Sequence, residues 1–499
     1  MSRNMSKRFL PLMLAVGILL SGNPDSAAQD KLRKSVTWEN INLSAPNLPE
    51  LGNLVTVPSS LERQSLWSVG CETLDRDYSD FANYKQYVGE TGVGYARLQS
   101  GWAKTEKKKG KYDFAWIDAH VDGLIAQGVH PWICLCYGNP LYSDHGIDLN
   151  AALFDDGPIM DGWLNYVKAT VKHFKGKVTM YEVWNEPDNK KTGLDNWPLY
   201  ANLFVRTAKA IREVDPDVKI AGFGAVSPDH LYLRKAVGRI VELGGGDYLD
   251  YLTFHTYWPI PEYVIEPVKD LQRFLAETCP HTKLLQGETG CPGQLEYGHA
   301  MSGLEWTEYS QAKWDLRQML NHFSLGIPYS VFTMVDLHYK DYMLQSFGLI
   351  RMRLNNVPVY KRPKFYAVQH VTSFFDETVT PDTTVTVKSL CGRKICCTGL
   401  KKGGKTVGCV LWMGDEMPSS SLERQEVSLT VEGVSFDKPV YLDLLSGKVY
   451  DIPLAKIKGA GAGTNYDSAF NPKYHVFSKL PLWDSPIVLI NRDDFKWNK

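Results

Sequence analysis

The sequence predicts an α/β protein, a (β/α)8 TIM barrel with an appended all-β C-terminal domain of sandwich type. Three observations predict it. Between Leu66 and Asp376, short apolar runs alternate with longer amphipathic ones, giving eight strand–helix units. After Asp376 the pattern changes to short β-branched runs separated by turns. A doubly wound sheet would need a Gly-rich phosphate turn after the first strand, and Val69-Gly70-Cys71-Glu72 is not one.

In chain order, residues 1–28 read as a signal peptide. Arg3, Lys7 and Arg8 precede an apolar run of twelve, Phe9 to Leu20, and Ser26-Ala27-Ala28 supplies small residues for cleavage before Gln29. Twelve residues are too few to cross a hydrocarbon core of ~30 Å, and no later run reaches the ~18 apolar residues of a membrane span. No cysteine at the cleavage site marks a lipid anchor. The mature protein is expected to be exported, periplasmic or extracellular. Residues 29–60 form an N-terminal segment that can join the β-domain, 61–376 the catalytic barrel and 377–499 the β-sandwich.

The expected barrel strands are Leu66–Cys71, Gly94–Leu98, His130–Tyr137, Val178–Trp184, Lys219–Phe223, Tyr251–Thr256, Lys283–Gln286 and Ser330–Met334. Helical periodicity marks Trp116–Gln127, Trp163–Phe174, Tyr200–Val214, Val268–Thr278, Glu308–Phe323 and Lys364–Phe375. The later strands are Thr380–Val387, Lys405–Trp412, Glu426–Val431, Val440–Leu444 and Ile487–Ile490. Gly459-Ala460-Gly461-Ala462-Gly463 reads as a flexible loop, because no helix pattern follows it.

Composition excludes other classes. With 44% hydrophobic and 22% charged residues over 499 positions, the chain is neither disordered nor fibrous. A net charge of −1 gives no electrostatic ground for a nucleic-acid partner. The 14 Trp and 26 Tyr include rings suited to stacking on sugars, although most serve the core. The nine cysteines leave at least one unpaired. Cys134 and Cys136 share the face of a buried strand. Cys391, Cys396, Cys397 and Cys409 cluster where a disulfide could form, without the spacing of a metal site.

Two segments carry chemistry. Tyr181-Glu182-Val183-Trp184-Asn185-Glu186-Pro187 ends the fourth strand, and Gln286-Gly287-Glu288-Thr289-Gly290 ends the seventh. Carboxyl ends of barrel strands surround one mouth, so Glu186 and Glu288 converge. Two carboxyl groups across an aromatic-lined mouth are the equipment of glycoside hydrolysis: one gives a proton to the leaving oxygen, the other attacks the sugar carbon. Asn185 offers an amide to a substrate hydroxyl. Strand alternation would send Asn185 and Glu186 to opposite faces, so both reach the site only if the strand has already ended, which Pro187 favours.

These residues resemble clan A of the retaining glycoside hydrolases, in which Trp-Asn-Glu-Pro ends the fourth strand and Gly-Glu the seventh. Ala96-Arg97-Leu98 looks like the clan's arginine that contacts the nucleophile. Phe254-His255-Thr256-Tyr257 looks like its His and Tyr, and Glu106, Gly110, Tyr112, Phe114 and Ile117-Asp118 echo its run into the second helix. The resemblance covers the barrel and is greatest to the xylosidase and iduronidase group, family 39, whose members also carry a β-sandwich. It implies that Glu186 is the acid/base and Glu288 the nucleophile, with Arg97 and Tyr257 supporting Glu288. Clan members commonly end the eighth strand with a Trp that floors the sugar subsite. Here the run is Phe332-Thr333-Met334-Val335-Asp336-Leu337-His338, and Asp336 or His338 is the expected occupant.

Glu72 and Asn139, at the ends of strands one and three, are further candidate sugar ligands, and Trp102 and Trp258 candidate stacking platforms; Trp132 reads as core. The expected reaction is double displacement on an oligo- or polysaccharide with net retention, needing no metal or organic cofactor. The alternatives are a transglycosylase using the same residues and a catalytically silent carbohydrate-binding protein. A zinc hydrolase would want a His-x-His pair at a strand end. The insertion Cys291–Thr307 after the seventh strand implies a walled pocket and hence exo action.

Overall fold

The computed structural model describes residues 45–149, 151–190, 195–228, 231–339, 343–454, 469–472 and 475–499. The expected signal peptide and the run 459–463 lie outside them.

Eight parallel strands close a barrel: β1 (Trp67–Gly70), β2 (Tyr95–Gln99), β3 (His130–Leu135), β4 (Met180–Val183), β5 (Lys219–Ala225), β6 (Tyr251–His255), β7 (Lys283–Thr289) and β8 (Tyr329–Val331). Closure pairs Trp67 of β1 with Tyr329 of β8. The strands are apolar because helices cover the outside while side chains fill the inside. The long helices are α1 (Ala115–Ala126), α2 (Gly157–Phe174), α3 (Trp197–Val214), α4 (Leu231–Glu242), α5 (Ile265–Thr278), α6 (Glu308–Ser324) and α7 (Pro363–Phe374). Their starts follow local chemistry. The α6 N-terminus is capped reciprocally, Ser310 N donating to Thr307 Oγ1 and Thr307 N to Ser310 Oγ. Helices α2, α3 and α7 each carry a proline in the first turn, where no intrahelical donor is lost.

Trp132, Met180, Ala221 and Leu285 from β3, β4, β5 and β7 form one cluster inside the barrel. The Trp132 ring lies 5.4 Å from the Arg97 guanidinium carbon and its Nε1 donates to Ser68 Oγ. A packed interior below a polar layer leaves the carboxyl end of the strands as the place for a ligand.

Besides two two-stranded ribbons, Leu337–His338 with Leu344–Gln345 and Ile350–Met352 with Pro358–Lys361, the remaining strands of the described residues form two antiparallel sheets. The larger runs Val379–Asp382, Ile395–Lys402, Lys405–Met413, Ile487–Asn491, Pro439–Asp443, Lys448–Asp451, Glu50–Leu54 and Trp497–Asn498. The smaller runs Thr386–Ser389, Gln425–Glu432, Val476–Leu482 and Ala469–Asn471. Thus Glu50–Leu54, which precedes the barrel in sequence, pairs with strands that follow it. The single strand expected over Thr380–Val387 is two. Asp382 Oδ1 accepts from Thr384 N and Oγ1, a local turn that breaks the strand and sends its second half to the other sheet. All nine cysteines are free. Cys396 and Cys397 lie on the strand next to the one carrying Cys409, and no disulfide joins the late cluster.

Buried ionic contacts join the barrel to these sheets. Arg317 of α6 pairs with Glu262, which follows β6, and Glu262 also accepts from Trp412 Nε1 and Asp415 N. Lys313 Nζ lies 2.6 Å from Asp484 Oδ1 and donates to Ser419 O.

Candidate active site

Arg97, fully buried on β2, organises the mouth. Its Nε and Nη2 donate to Glu182 Oε2 at 2.9 and 2.6 Å, and Nη2 also donates to Asn185 Oδ1 at 2.8 Å. Nη1 donates to Glu288 Oε2 at 2.8 Å and faces Glu72 Oε1 at 3.4 Å. One cation therefore touches three carboxyl groups, one just past β1 and the others on β4 and β7. Burial of that much charge is tolerable only when every member finds partners. Glu182 meets this with a second contact, from Thr253 Oγ1 on β6.

The two glutamates at the strand ends arrive by different backbone routes. Strand β4 stops at Val183, and Trp184 and Glu186 then take left-handed conformations, with φ of 69° and 49°. Such angles are uncommon for bulky residues and mark a locally imposed geometry. Here they break the alternation, so Asn185 and Glu186 both line the cavity. Glu186 N is held by Gly224 O at 3.0 Å. Gly224 itself sits against the ion cluster at φ 49°, where a Cβ would meet His255 Nε2 at 3.2 Å and Glu182 Oε1 at 3.3 Å.

Each glutamate is clamped at both oxygens. Glu288 Oε1 accepts from Tyr257 Oη at 2.6 Å, and Oε2 from Arg97. Glu186 Oε1 lies 3.0 Å from His255 Nδ1, and Oε2 accepts from Asn189 Nδ2 at 3.1 Å. One ligand atom each from Glu186, His255 and Glu288 fall within 4.8 Å of one another. A cation would fit that spacing, but it would have to displace Arg97 and Tyr257 from Glu288. The donor set suits opposed carboxyl groups more than a metal.

The surroundings tune the titrating groups. Burial pulls the His255 imidazole down, but Glu288 and the bond to Glu186 outweigh it and its pKa rises. Burial and the Glu288 carboxylate push the Tyr257 phenol well up, so it stays a donor. Glu72 is raised to about 7 by burial, opposed by Arg97 and reinforced by Glu288. Thr333 Oγ1 lies 2.8 Å from Gly70 O and 3.2 Å from Glu72 Oε2, and its bond to the carboxylate works against that rise. Gly70 gives this side chain its room, since a Cβ there would fall 2.0 Å from Glu72 Oε2.

These groups border a cavity of about 950 Å³ at the carboxyl ends of the strands. Glu72, Asn185, Glu186, Tyr257, Trp258 and Glu288 all line it. Arg97 and His255 act on it through the glutamates. The other candidates face elsewhere. Trp102 is fully buried, stacks on Tyr142 and Tyr166, and donates Nε1 to Glu106 Oε2. Asn139 donates Nδ2 to Glu106 O and accepts from Leu141 N, so it closes a loop and is not among the residues lining the cavity. Asp336 is buried, paired with Arg362, and accepts from Gly348 N and Met352 N. The aromatic at the end of β8 is Phe332, which lines the cavity edge-on to Tyr257, the ring centroids 6.4 Å apart. Lys364 Nζ fixes its carbonyl at 3.0 Å.

Glu182, Asn189 and Phe332 are among the residues that the sequence reading left without a role. A charged residue inside a short strand buried on both sides was the signal for Glu182. Glu106 proves to be a loop anchor, holding Trp102, Gly110 N and Tyr142 Oη.

Known proteins resemble this chain in part of its sequence and in its fold. Residues 75–277 match the model of glycosyl hydrolases family 39. That stretch contains Arg97, Asn185, Glu186, His255 and Tyr257, while Glu72 and Glu288 lie on either side of it. A β-xylosidase of Geobacillus stearothermophilus is 26% identical over 131 residues, 22% of this chain and 24% of that protein. The aligned stretch thus spans about a quarter of that relative's length. A family 39 glycoside hydrolase from the gut symbiont Bacteroides cellulosilyticus WH2 superposes with a TM-score of 0.62 at 18% identity, covering 87% of this chain and 83% of that one. A monomeric β-xylosidase from Caulobacter crescentus CB15 gives 0.54 at 17% identity, covering 79% and 83%. The chain resembles glycosyl hydrolases family 39 over residues 75–277 and shares its fold with a solved member of that family.

Proposed function

We propose that the protein is a retaining exo-glycosidase that removes a terminal sugar by double displacement. Glu288 attacks the anomeric carbon while Glu186 gives its proton to the departing glycosidic oxygen. Glu186 then takes a proton from water, which attacks the glycosyl-enzyme ester and returns Glu288 to a carboxylate. Tyr257 and Arg97 aim the two oxygens of Glu288, and His255 and Asn189 those of Glu186. Asn185, whose Oδ1 is occupied by Arg97, has its amide hydrogens left for a sugar hydroxyl.

The observation that carries this reading is the short reach between carboxyl groups, an oxygen of Glu186 within 4.8 Å of one of Glu288. Retaining enzymes separate them by ~5–5.5 Å, whereas inversion needs ~6.5–9.5 Å to admit a water. The pocket walls favour exo action, since Gly298, His299 and Ala300 of the insertion after β7 close one side. The named xylosidases make xylosides the first substrates to try. The chain is exported, its leader removed near Gln29.

A 2-deoxy-2-fluoro aryl glycoside of the accepted sugar tests the assignment. Mass spectrometry should find one adduct on the peptide containing Glu288. A modified Glu186 peptide would reverse the two roles. Turnover without any adduct would remove the covalent step.

A further inference from the structure

The loop that walls the cavity after β7 carries both cavity-lining and solvent-exposed residues. Gly298, His299 and Ala300 line the cavity, and Glu296 is buried with Oε1 accepting from Ser346 N at 2.6 Å. On either side of that anchor, Leu295 and Tyr297 are 43% and 76% exposed. The loop is tied down at several points: Gly293 N donates to Ser346 O at 2.9 Å, Gly303 N to Glu296 O at 2.8 Å and Gln311 Nε2 to Cys291 O at 2.8 Å. A tyrosine ring left in water on a tethered loop, one residue from the cavity wall, is pre-ordered for contact at low entropic cost. Asp148 and Leu149 also line the cavity, and their neighbour Ile147 is 42% exposed.

We propose that Tyr297, with Leu295 beside it, is the platform on which the sugar next to the scissile bond, on its leaving-group side, stacks as it projects from the cavity. This rests on the exo-glycosidase reading. It makes the natural substrate an oligosaccharide, held by its penultimate residue as well as its terminal one. The apolar face of a pyranose ring matches the phenol ring, and the hydroxyls on its edge stay solvated.

The test compares two substrates sharing the terminal sugar: a glycosyl fluoride, too small to leave the cavity, and the corresponding unsubstituted disaccharide. Tyr297→Ala should raise KM for the disaccharide about tenfold and leave the fluoride within twofold, and Tyr297→Trp should restore disaccharide KM. Parallel changes for both substrates, or no change for either, would overturn the platform. Wild-type protein that hydrolyses neither, across the common sugars, would sink the exo-glycosidase reading itself and is thereby distinguished.

Discussion

The mouth of the barrel and its seam with the β-sheets both bury ionic groups, but they balance charge differently. At the seam the pairs are matched: Arg317 with Glu262, and Lys313 with Asp484. At the mouth Arg97 faces Glu72, Glu182 and Glu288 together. Matched pairs in a seam hold two elements in one arrangement, and losing one partner strands a charge. An excess of carboxyl groups is a poor way to stabilise a fold, because like charges oppose burial. It is what a site needs if one carboxyl is to attack and another to exchange protons. The contrast locates chemistry where electrostatic economy is violated.

The sharpest break of the comparison is Glu288→Gln. Activity should drop by roughly 10⁴-fold or more, while thermal stability at pH 7 stays level or rises, because an excess carboxylate is gone. Lost stability together with lost activity would make Glu288 a structural partner of Arg97.

Glu186→Ala should impair poor leaving groups by about 10²–10⁴-fold and spare the first step with activated aryl glycosides. Added azide should then restore turnover and yield a glycosyl azide of retained configuration. Azide without effect would move the acid/base role elsewhere.

At the seam, Arg317→Ala leaves the Glu262 carboxylate buried with only Trp412 Nε1 and Asp415 N as donors. A loss of about 3–5 kcal/mol in denaturant unfolding is expected. A cost below about 1 kcal/mol would show the seam to be no tighter than a surface pair.

The smallest effect concerns Glu72. Its pKa, raised from 4.5 to about 7 in the fold, means that the unfolded chain gives up this proton first. Stability therefore falls as pH rises from about 4.5 through 7, by about 3 kcal/mol at most. His255, whose pKa is also raised, contributes stability that is present at low pH and lost as pH rises through its folded value, the same direction. Glu72→Gln should flatten the pH dependence of unfolding over this range. An unchanged slope would mean that Glu72 is ionised at rest.

Much of this was legible from residues alone, for physical reasons. Barrel strands buried on both faces read as short, largely apolar runs, and all eight fell where those runs stood. Helix α4 was passed over although its buried Tyr232, Leu233, Ala236, Val237 and Ile240 recur at helical spacing, with Arg234, Lys235 and Arg239 between them. The strand Ile395–Lys402 was hidden because Cys396, Cys397, Thr398 and Gly399 show no alternation. Within the site, residues on or directly ending strands were found, because parity and the barrel's geometry aim them. Trp102, Asn139 and Asp336 sit past the strand ends, in segments whose direction is set by Glu106 and Arg362. Nothing local to them reports those partners.

The central claim is that Glu186 and Glu288 cleave by two successive displacements at one carbon. Proton NMR of the first product formed from an aryl glycoside, recorded before mutarotation, tests it most directly. The account predicts that the first anomer has the configuration of the substrate. The opposite anomer appearing first would contradict it, whatever the two glutamates proved to contribute.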